Sequence, residues 1–324
     1  MKRIIIIALT VSLSCSFIKL EAQQIPQFTQ YMFNGLYINP AYAGYKGNLY
    51  AHLMYRKQWV GTDGAPQTVM LGIDGDLRGG SNLGFVYAND HIGATSTNSF
   101  MLSYAFRFNV AEQARLAFGL AGGAMYYGLD KNKADITNPL VMQTRNIWRP
   151  QVDVGVYFDT EPFYASLSVM GLISNRIQDS TMLSLRADPT YFLTFGGMIS
   201  LGENFGIAPS TLLKTDFKSP LSLDINAMVV YADRIWLGAS YRTGVNFTYK
   251  ERESSPDGLR QRNVLAIIAE LYVTEQLRLG AAYDFDLNSV TTSYGGGIEV
   301  SLGYYMMRSR KYYSTPRHIV SRRW

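Results

Sequence analysis

The sequence predicts an all-β fold: a transmembrane antiparallel β-barrel of about 14 strands, with an N-terminal plug-like segment and a short basic periplasmic C-terminal tail. Three observations predict it. Apolar and polar residues alternate along many segments, which is the period of a β-strand. These segments reach the roughly 9–11 residues that a tilted membrane-crossing strand needs. The chain also begins with a secretory leader.

The leader precedes everything else in the chain. It has a basic start at Lys2 and Arg3, an apolar run over 4–17 and a small residue at Ala22. This is the layout of a signal peptide, and the run is shorter than the roughly 20 residues of a spanning helix. We expect cleavage after Ala22 or Gln23. The predicted division of the chain is: signal peptide 1–22, plug segment 23–46, outer-membrane barrel 47–305 and basic tail 306–324.

An uncharged, aromatic and amide-rich stretch, "QQIPQFTQYMFNGLYINPAYAGY", follows the leader. Phe28, Tyr31 or Met32, and Leu36 recur at helical spacing, which predicts a short helix. The Asn39-Pro40 pair is expected to end this helix and lead into the first strand. A stretch with so many apolar residues and no charge is not expected to be exposed to solvent. We therefore expect it to pack into or across the periplasmic end of the lumen as a plug.

The alternation then recurs along the chain. In "LRLGAAYDFDL" and "VMLGIDGDL" large apolar residues share one face, and charged residues occupy the other. The acids assigned to the lumen in this way are Asp74, Asp76, Asp284 and Asp286. We expect them to be solvated or paired with Arg56, Arg242 and Arg278. A soluble sandwich also alternates, but its strands are usually five or six residues long. The longer segments here favour a membrane barrel.

We place the strands at about 47–58, 66–77, 82–90, 96–107, 114–129, 150–159, 162–172, 189–201, 204–215, 219–231, 233–243, 262–272, 276–287 and 290–305. Fourteen is an even number, as in single-chain bacterial barrels. Short connections such as "RGGS", "TEP" and "TEQ" alternate with longer ones. The predicted longer loops are Trp59–Ala65, His91–Thr95, Lys131–Arg149, Ile173–Asp188 and Thr243–Gln261. Short periplasmic turns and longer external loops are typical of such barrels, so both termini are expected in the periplasm.

The first strand ends in "YRKQW". Arg56 should face the lumen, because Leu53 and Tyr55 belong to the opposite face. Gln58 and Trp59 then lie near the outer interface, where aromatic girdles occur. The simplest interpretation of this motif is a barrel rim with an anchoring tryptophan.

The last 19 residues contain no acid and six cations, although the chain as a whole carries only +5. These cations are Arg308, Arg310, Lys311, Arg317, Arg322 and Arg323. The tail is either a solvated charged end or a docking segment for a periplasmic partner. Its Tyr312, Tyr313 and Trp324 favour docking, since aromatic residues and arginine are enriched at binding surfaces. The compartment argues against nucleic acid.

Several classes of function are excluded by composition. Cys15 is the only cysteine and lies in the leader, so disulfides, thiol catalysis and cysteine metal sites are excluded. The histidines His52, His91 and His318 have no ligand spacing. There is no Gly-x-Ser-x-Gly elbow and no His-Glu-x-x-His motif. We therefore expect no enzyme activity, no metal and no cofactor.

"PQFTQYMFNGLYINPAYAG", followed by "YRKQW" and "GAP", resembles the start of the PorP/SprF family. These are outer-membrane barrels of type IX secretion and gliding motility in Bacteroidota. The residues that match the family's N-terminal motif are Phe28, Gln30, Tyr31, Asn34, Asn39, Pro40 and Gly44. Thr315-Pro316-Arg317 is similar to the family's basic ending. Gly35 departs from the pattern, where we expect a more rigid residue such as proline, and "HIVSRRW" extends past the usual end.

The resemblance implies a non-enzymatic role in the outer membrane. The implied partners are a secreted adhesin or its C-terminal domain, periplasmic ring or peptidoglycan-binding lipoproteins, and outer-membrane lipid. The residues leave two alternatives open. One is a porin or hydrophobic-solute transport barrel with an N-terminal plug, and the other is a purely structural barrel.

Overall fold

The structure is a computed structural model. It describes residues 25–47, 49–130, 146–173, 177–178, 184–185, 188–217, 219–245, 263–287 and 295–306. The predicted leader and the six cations of the basic tail lie outside these residues.

Fourteen antiparallel strands form a closed barrel in the part of the chain that the structure describes. They are β1 Tyr50–Lys57, β2 Gln67–Arg78, β3 Ser81–Ile92, β4 Thr95–Ala111, β5 Ala114–Leu129, β6 Ile147–Thr160, β7 Phe163–Met170, β8 Thr190–Gly197, β9 Phe205–Thr215, β10 Leu221–Tyr231, β11 Ile235–Val245, β12 Val264–Tyr272, β13 Leu277–Asp286 and β14 Gly297–Tyr305. Each strand pairs with its sequence neighbours, and β14 closes the sheet on β1. The predicted fold class and strand number are confirmed.

Two short pieces lie beside this pattern. Ile199–Ser200 pairs with β9 directly after β8, so it continues β8 past a break at Met198. Ile177–Gln178 and Ser184–Leu185 form a separate two-stranded ladder between β7 and β8. Neither changes the number of barrel strands.

The two ends of the barrel differ in their connections. At the end we name the short-turn end, the connections are 79–80, 112–113, 161–162, 198–204, 232–234 and 273–276. At the other, the long-loop end, they are 58–66, 93–94, 130–146, 171–189, 216–220, 246–263 and 287–296. β1 begins and β14 ends at the short-turn end. The longer loop predicted over His91–Thr95 is wrong, because β3 and β4 extend to a two-residue turn that contains Gly93 with a positive φ of 58°.

The two faces of the sheet have opposite chemistry. Leu102, Leu237 and Ile267 are more than half exposed on the outer face, whereas Asp224 and Arg278 are fully buried on the inner face. Alternate side chains of a strand point to opposite faces, so the sequence pattern converts directly into an apolar exterior and a polar interior. This is the arrangement of a barrel that lies in lipid.

Aromatic side chains gather on the outer face near both ends. Near the long-loop end, the ring of Trp148 lies 5.0 Å from that of Tyr126 and 6.4 Å from that of Phe100. Near the short-turn end, the rings of Phe108 and Phe118 stack at 6.2 Å. Amphipathic and aromatic rings prefer the membrane–water interfaces, so these clusters mark the two borders of the apolar belt.

Residues 25–47, which we name the luminal segment, lie inside the barrel and are almost entirely buried. The predicted single helix is replaced by three 3-10 helices of three residues each, at Tyr31–Phe33, Gly35–Tyr37 and Pro40–Tyr42. Asn39 and Pro40 begin the third of these helices instead of ending the first. The Asn39 side chain accepts a hydrogen bond from Ala41 N at 2.8 Å, as an N-cap does. Across the described ranges, no helix is long and apolar enough to cross a membrane.

Candidate functional site

The luminal segment runs along much of the barrel axis. Near its start, the carbonyl of Ile25 accepts a hydrogen bond from Lys214 Nζ at 2.7 Å, and Lys214 lies at the long-loop end of β9. Near its end, Lys46 Nζ donates to the carbonyl of Phe33 at 2.8 Å, close to the start of β1. The segment therefore reaches further toward the long-loop end than the sequence predicted.

A buried ion cluster, the Arg56 cluster, consists of Arg56, Asp284 and Glu299. Arg56 Nη2 lies 2.6 Å from Asp284 Oδ2, and Nη1 contacts Glu299, which stands directly opposite Arg56 in the β1–β14 ladder. Both carboxylates also hold the luminal segment. Thr29 N donates to Glu299 at 2.6 Å, Gln30 N at 3.1 Å, and Thr29 Oγ1 donates to Asp284 at 2.8 Å. One guanidinium thus fixes two carboxylates that bind the segment's backbone and side chains.

A second ion pair repeats this arrangement on β10 and β11. Asp224 and Arg242 are directly opposite in the ladder, and Arg242 Nη2 lies 2.9 Å from Asp224 Oδ2. The same carboxylate accepts a hydrogen bond from Gln27 Nε2 at 2.9 Å. Two residues along β10, Asn226 Nδ2 donates to the hydroxyl of Tyr31 at 2.7 Å. The first half of the segment is therefore bound by paired charges and an amide.

The second half of the segment is bound mainly through its own backbone groups and the amide of Asn39. Asn39 Nδ2 donates to the carbonyl of Val156 at 3.0 Å. Gly44 N donates to Asp74 Oδ2 at 2.8 Å. Arg107 Nη2 reaches the carbonyl of Ala41 at 3.2 Å. These contacts extend from β2 to β6, so the segment contacts strands on both sides of the barrel.

Glycines on the inner face give the segment room to approach the wall. A Cβ added at Gly119 would overlap the backbone of Ala41, and one at Gly155 would overlap the amide of Asn39. A third glycine, Gly280, meets the Gln30 amide in the same way. Glycine in a strand often marks a place where another backbone approaches closely. The inner face of the barrel and the luminal segment are thus complementary in shape.

Gly119→Val is expected to push the luminal segment away from β5 while leaving the barrel closed. Overpacking of a tight site destabilises it by about 1–3 kcal/mol. We expect faster cleavage of the segment by protease in the folded, detergent-solubilised protein, measured by mass spectrometry.

Gly122→Val is the matched control for this change. Gly122 lies three residues further along β5 on the outer face, where a Cβ meets no atom within 4 Å. In the Gly122→Val variant, the luminal segment should be cleaved by protease at the same rate as in the unmodified protein. Equal rates for Gly119→Val and Gly122→Val would contradict the fit described above.

Gly35, the departure from the family pattern, has a local reason. A Cβ at this position would lie 2.5 Å from Cδ2 of Tyr42. The Tyr42 ring packs 4.8 Å from that of Tyr45 and 5.5 Å from that of Tyr157. Glycine therefore lets the second 3-10 helix pack against this aromatic cluster.

Charged groups also surround Phe33 near the short-turn end. Its carbonyl accepts hydrogen bonds from Lys46 Nζ and from Arg278 Nη1, the latter at 3.2 Å. Arg278 Nε pairs with Glu270 at 3.2 Å, and Lys46 Nζ lies 3.3 Å above the ring of Tyr50. Burial, and secondarily the positive charge of Arg278, hold the pKa of Lys46 well below its usual range. The Lys46 amino group is held in place here by a carbonyl and a ring face.

The predicted motif residues all lie in the luminal segment and are buried or nearly so: Phe28, Gln30, Tyr31, Asn34, Asn39, Pro40 and Gly44. Phe28 packs edge-to-face on Tyr37 with ring centroids 5.1 Å apart. Asn34 Nδ2 faces Met70 Sδ at 3.7 Å. The motif thus holds the residues that contact the wall.

The predicted rim and lumen residues form two groups in the structure: some contact the luminal segment, and others lie at the ends of strands. Arg56 and Asp284 belong to the Arg56 cluster, and Asp74 binds Gly44. Asp76 accepts a hydrogen bond from Arg78 N at 2.7 Å at the end of β2, and Asp286 is half-buried at the end of β13. Gln58 and Trp59 lie half-buried just beyond β1, where Trp59 has a φ of 48°.

Sequence reasoning missed several buried charges: Lys46, Lys214, Asp224 as the partner of Arg242, Glu270, and Glu299. His52, whose Nε2 lies 2.7 Å from Arg278 Nη2, was also missed. A usable signal existed for Glu270 and Glu299, since each is a lone acid in an apolar strand. Placing an ionised side chain in lipid has a high free-energy cost, so each of these acids must point into the lumen. Among the described residues, no group of three or more acidic, histidine or cysteine side chains is placed to hold a metal ion.

Comparison with solved structures finds other outer-membrane barrels. A Pseudomonas aeruginosa FadL homologue is 11% identical with a TM-score of 0.50, covering 89% of this chain and 96% of its own. The Acinetobacter baumannii outer membrane protein Omp33 is 10% identical with a TM-score of 0.45, covering 81% and 100%. At these identities the likeness concerns the fold alone. No curated protein matches the chain.

A family model described as "Type IX secretion system membrane protein PorP/SprF" matches residues 20–304. The match includes the luminal segment and all fourteen strands apart from the last residue of β14. It agrees with the resemblance seen in the N-terminal motif. The chain therefore belongs to the PorP/SprF family, as an outer-membrane barrel of the type IX secretion system.

Proposed function

We propose that this barrel is a non-enzymatic component of type IX secretion and gliding motility that binds and anchors a secreted surface adhesin through that adhesin's C-terminal domain. In this proposal the long loops contact the adhesin. The short-turn end and the basic tail contact periplasmic ring or peptidoglycan-binding lipoproteins.

The observation that carries this proposal is the occupied lumen. The luminal segment is bound by two sets of buried charges and by close glycine contacts. Buried charges that are paired and hydrogen-bonded hold a specific arrangement, because separating them leaves an uncompensated charge. A barrel filled by its own chain in this way is suited to present surfaces to partners.

The connections support the orientation used in this proposal. In outer-membrane barrels short turns face the periplasm and longer loops face outward. With this rule, the start of β1 and the end of β14 both lie on the periplasmic side. The six cations of the tail then follow β14 into the compartment that contains the lipoproteins.

Two variants should separate the two kinds of partner. Replacing 247–261 with a short Gly-Ser linker is expected to abolish capture of the adhesin's C-terminal domain and to leave the periplasmic lipoproteins bound. Deleting 307–324 is expected to have the opposite effect. The measurement is quantitative mass spectrometry after mild-detergent purification, with an epitope tag inserted within 131–145 of every variant.

The control is an insertion of the same Gly-Ser linker in the short turn at 112–113. This insertion should change neither the recovery of the adhesin's C-terminal domain at the long-loop end nor the folding of the barrel. Recovery of neither partner class with the unmodified protein would overturn the proposal. An exchange of the two effects would overturn the orientation alone.

A second candidate, a transport barrel for hydrophobic solutes, is favoured by one observation. Two cavities flank the luminal segment, and the side chain of Asn39 lines both. A solute path through both cavities would pass this residue. The conductance experiment in the Discussion tests this candidate directly.

A further inference from the structure

A polar patch interrupts the apolar outer face of the barrel near the long-loop end of β1 to β4. We name it the outer patch, and its residues are Lys57, Gln67, Asn89, His91, Ser96 and Asn98. The residues next to them in the chain, such as Arg56, Thr68 and Asp90, face the lumen. Because alternate residues of a strand point to opposite faces, the side chains of the outer patch point away from the lumen.

The strand register makes the outer patch continuous. Gln67 stands directly opposite Lys57 on one side and directly opposite His91 on the other. Asn89 and Asn98 stand opposite one another, two residues nearer the short-turn end. Residues that are directly opposite on one face have side chains in contact distance, so the six polar side chains form a single surface across four neighbouring strands.

The outer patch begins where the apolar belt ends. On β4, Asn98 follows Phe100 on the outer face toward the long-loop end, and Phe100 belongs to the aromatic cluster at that border. Elsewhere the outer face stays apolar near the long-loop end, with Leu223 on β10 and the opposed pair Leu265 and Phe285 on β12 and β13. The polar surface is therefore local, and it lies at the depth where lipid headgroups begin.

Hydrogen bonds within the outer patch leave it rich in donors. Tyr55 Oη donates to the amide oxygen of Gln67 at 3.4 Å. Tyr87 Oη donates to the amide oxygen of Asn98 at 3.0 Å. The amide nitrogens of Gln67 and Asn98 and the ammonium of Lys57 have no acceptor among the described residues. Donors left without an acceptor cost free energy in apolar surroundings, so the outer patch suits an occupant rich in acceptor oxygens.

We propose that the outer patch binds the phosphate headgroup of a lipid in the outer leaflet, with the donors of Lys57, Gln67 and Asn98 on its oxygens. Lysine binds phosphate as a point charge, and none of the six residues is acidic. The acyl chains lie on the apolar side chains directly below, which include Leu53 and Phe85. The site shares the orientation of the proposed function, with the long-loop end outward, but uses neither the loops nor the tail.

The test titrates lipid into the full-length protein, refolded without lipid in detergent, and counts bound lipid by native mass spectrometry. The two probes are lipid A with its phosphates and the same lipid A after a phosphatase has removed them, so the acyl chains are identical. The phosphorylated probe should bind saturably and at least about tenfold more tightly, because only it can form charge-assisted hydrogen bonds. Equal binding of the two probes, or no saturable binding of the phosphorylated one, would overturn the proposal. Either result leaves the capture of protein partners untouched.

Variants tie the lipid to the outer patch. Gln67→Glu exchanges a donor amide for a carboxylate beside Lys57, so the phosphorylated probe should bind about tenfold more weakly. Asn98→Asp removes the other amide donor at nearly constant shape and should have the same effect. Val245→Glu is the matched control, since it adds a carboxylate to the outer face at the long-loop end of β11, away from the outer patch, and should bind like the unmodified protein. Unchanged binding by folded Gln67→Glu and Asn98→Asp would place the lipid elsewhere and refute the proposal.

Discussion

Deleting residues 25–34 is expected to convert a barrel with no steady current into one that conducts ions across a planar lipid bilayer. These residues make no ladder contacts with any barrel strand, so the fourteen-stranded sheet can close without them. Eight-stranded barrels are filled by their own side chains, whereas 16–18 strands leave an aqueous channel. Fourteen strands approach that larger class. Residues 25–34 lie against the part of the wall that runs from β10 through β14 to β1, so their removal should leave a water-filled path there.

The deletion retains the predicted leader within 1–24, and folding is checked by the heat-dependent gel shift of intact barrels. A synthetic peptide with the sequence of residues 25–34 should reduce the current, and a scrambled peptide of the same composition should not. A folded deletion variant that passes no current would contradict the assignment of the segment as the block. A steady current through the unmodified protein would instead favour the transport candidate.

Much of the barrel was predictable because lipid imposes a strict rule on sequence. Alternation places Leu279 outside and Arg278 inside without any knowledge of neighbouring strands. A strand that crosses lipid cannot change faces without burying its apolar side chains in the lumen. The strand number and most strand ends follow from this rule. The two-residue turn at Gly93 was missed because polar residues near a strand end look like loop residues in sequence.

The contents of the lumen were much less predictable. The alternation places Arg56 and Glu299 inward but does not say that they face one another, since that depends on the register by which β14 closes on β1. This contact spans 243 residues of sequence. The glycine at 119 likewise has no local signal, because its reason is the backbone of Ala41 from a different part of the chain. The alternation of apolar and polar residues within a strand therefore does not predict contacts between residues that are distant in sequence.

Arg56→Met is expected to release the start of the luminal segment and to lower the barrel's thermal stability. The change leaves Asp284 and Glu299 buried with no partner cation within the cluster. Removing one partner of a buried ion pair destabilises by about 3–5 kcal/mol, because the remaining charge is left uncompensated. The measurements are the temperature of the heat-dependent gel shift and the protease cleavage rate of the segment. Lys57→Met, which removes a cation from the opposite face of the same strand, should change neither.

A combined variant distinguishes charge from packing as the cause. Arg56→Met with Asp284→Asn and Glu299→Gln removes all three charges, while the amide oxygens can still accept from Thr29 and Gln30. When both sides of a buried pair are neutralised, most of the destabilisation is expected to disappear. The triple variant should therefore be more stable than Arg56→Met alone, even though it carries two more substitutions. A triple variant that is no more stable than Arg56→Met would mean that the loss of the guanidinium's own contacts, and not the unpaired carboxylates, causes the destabilisation.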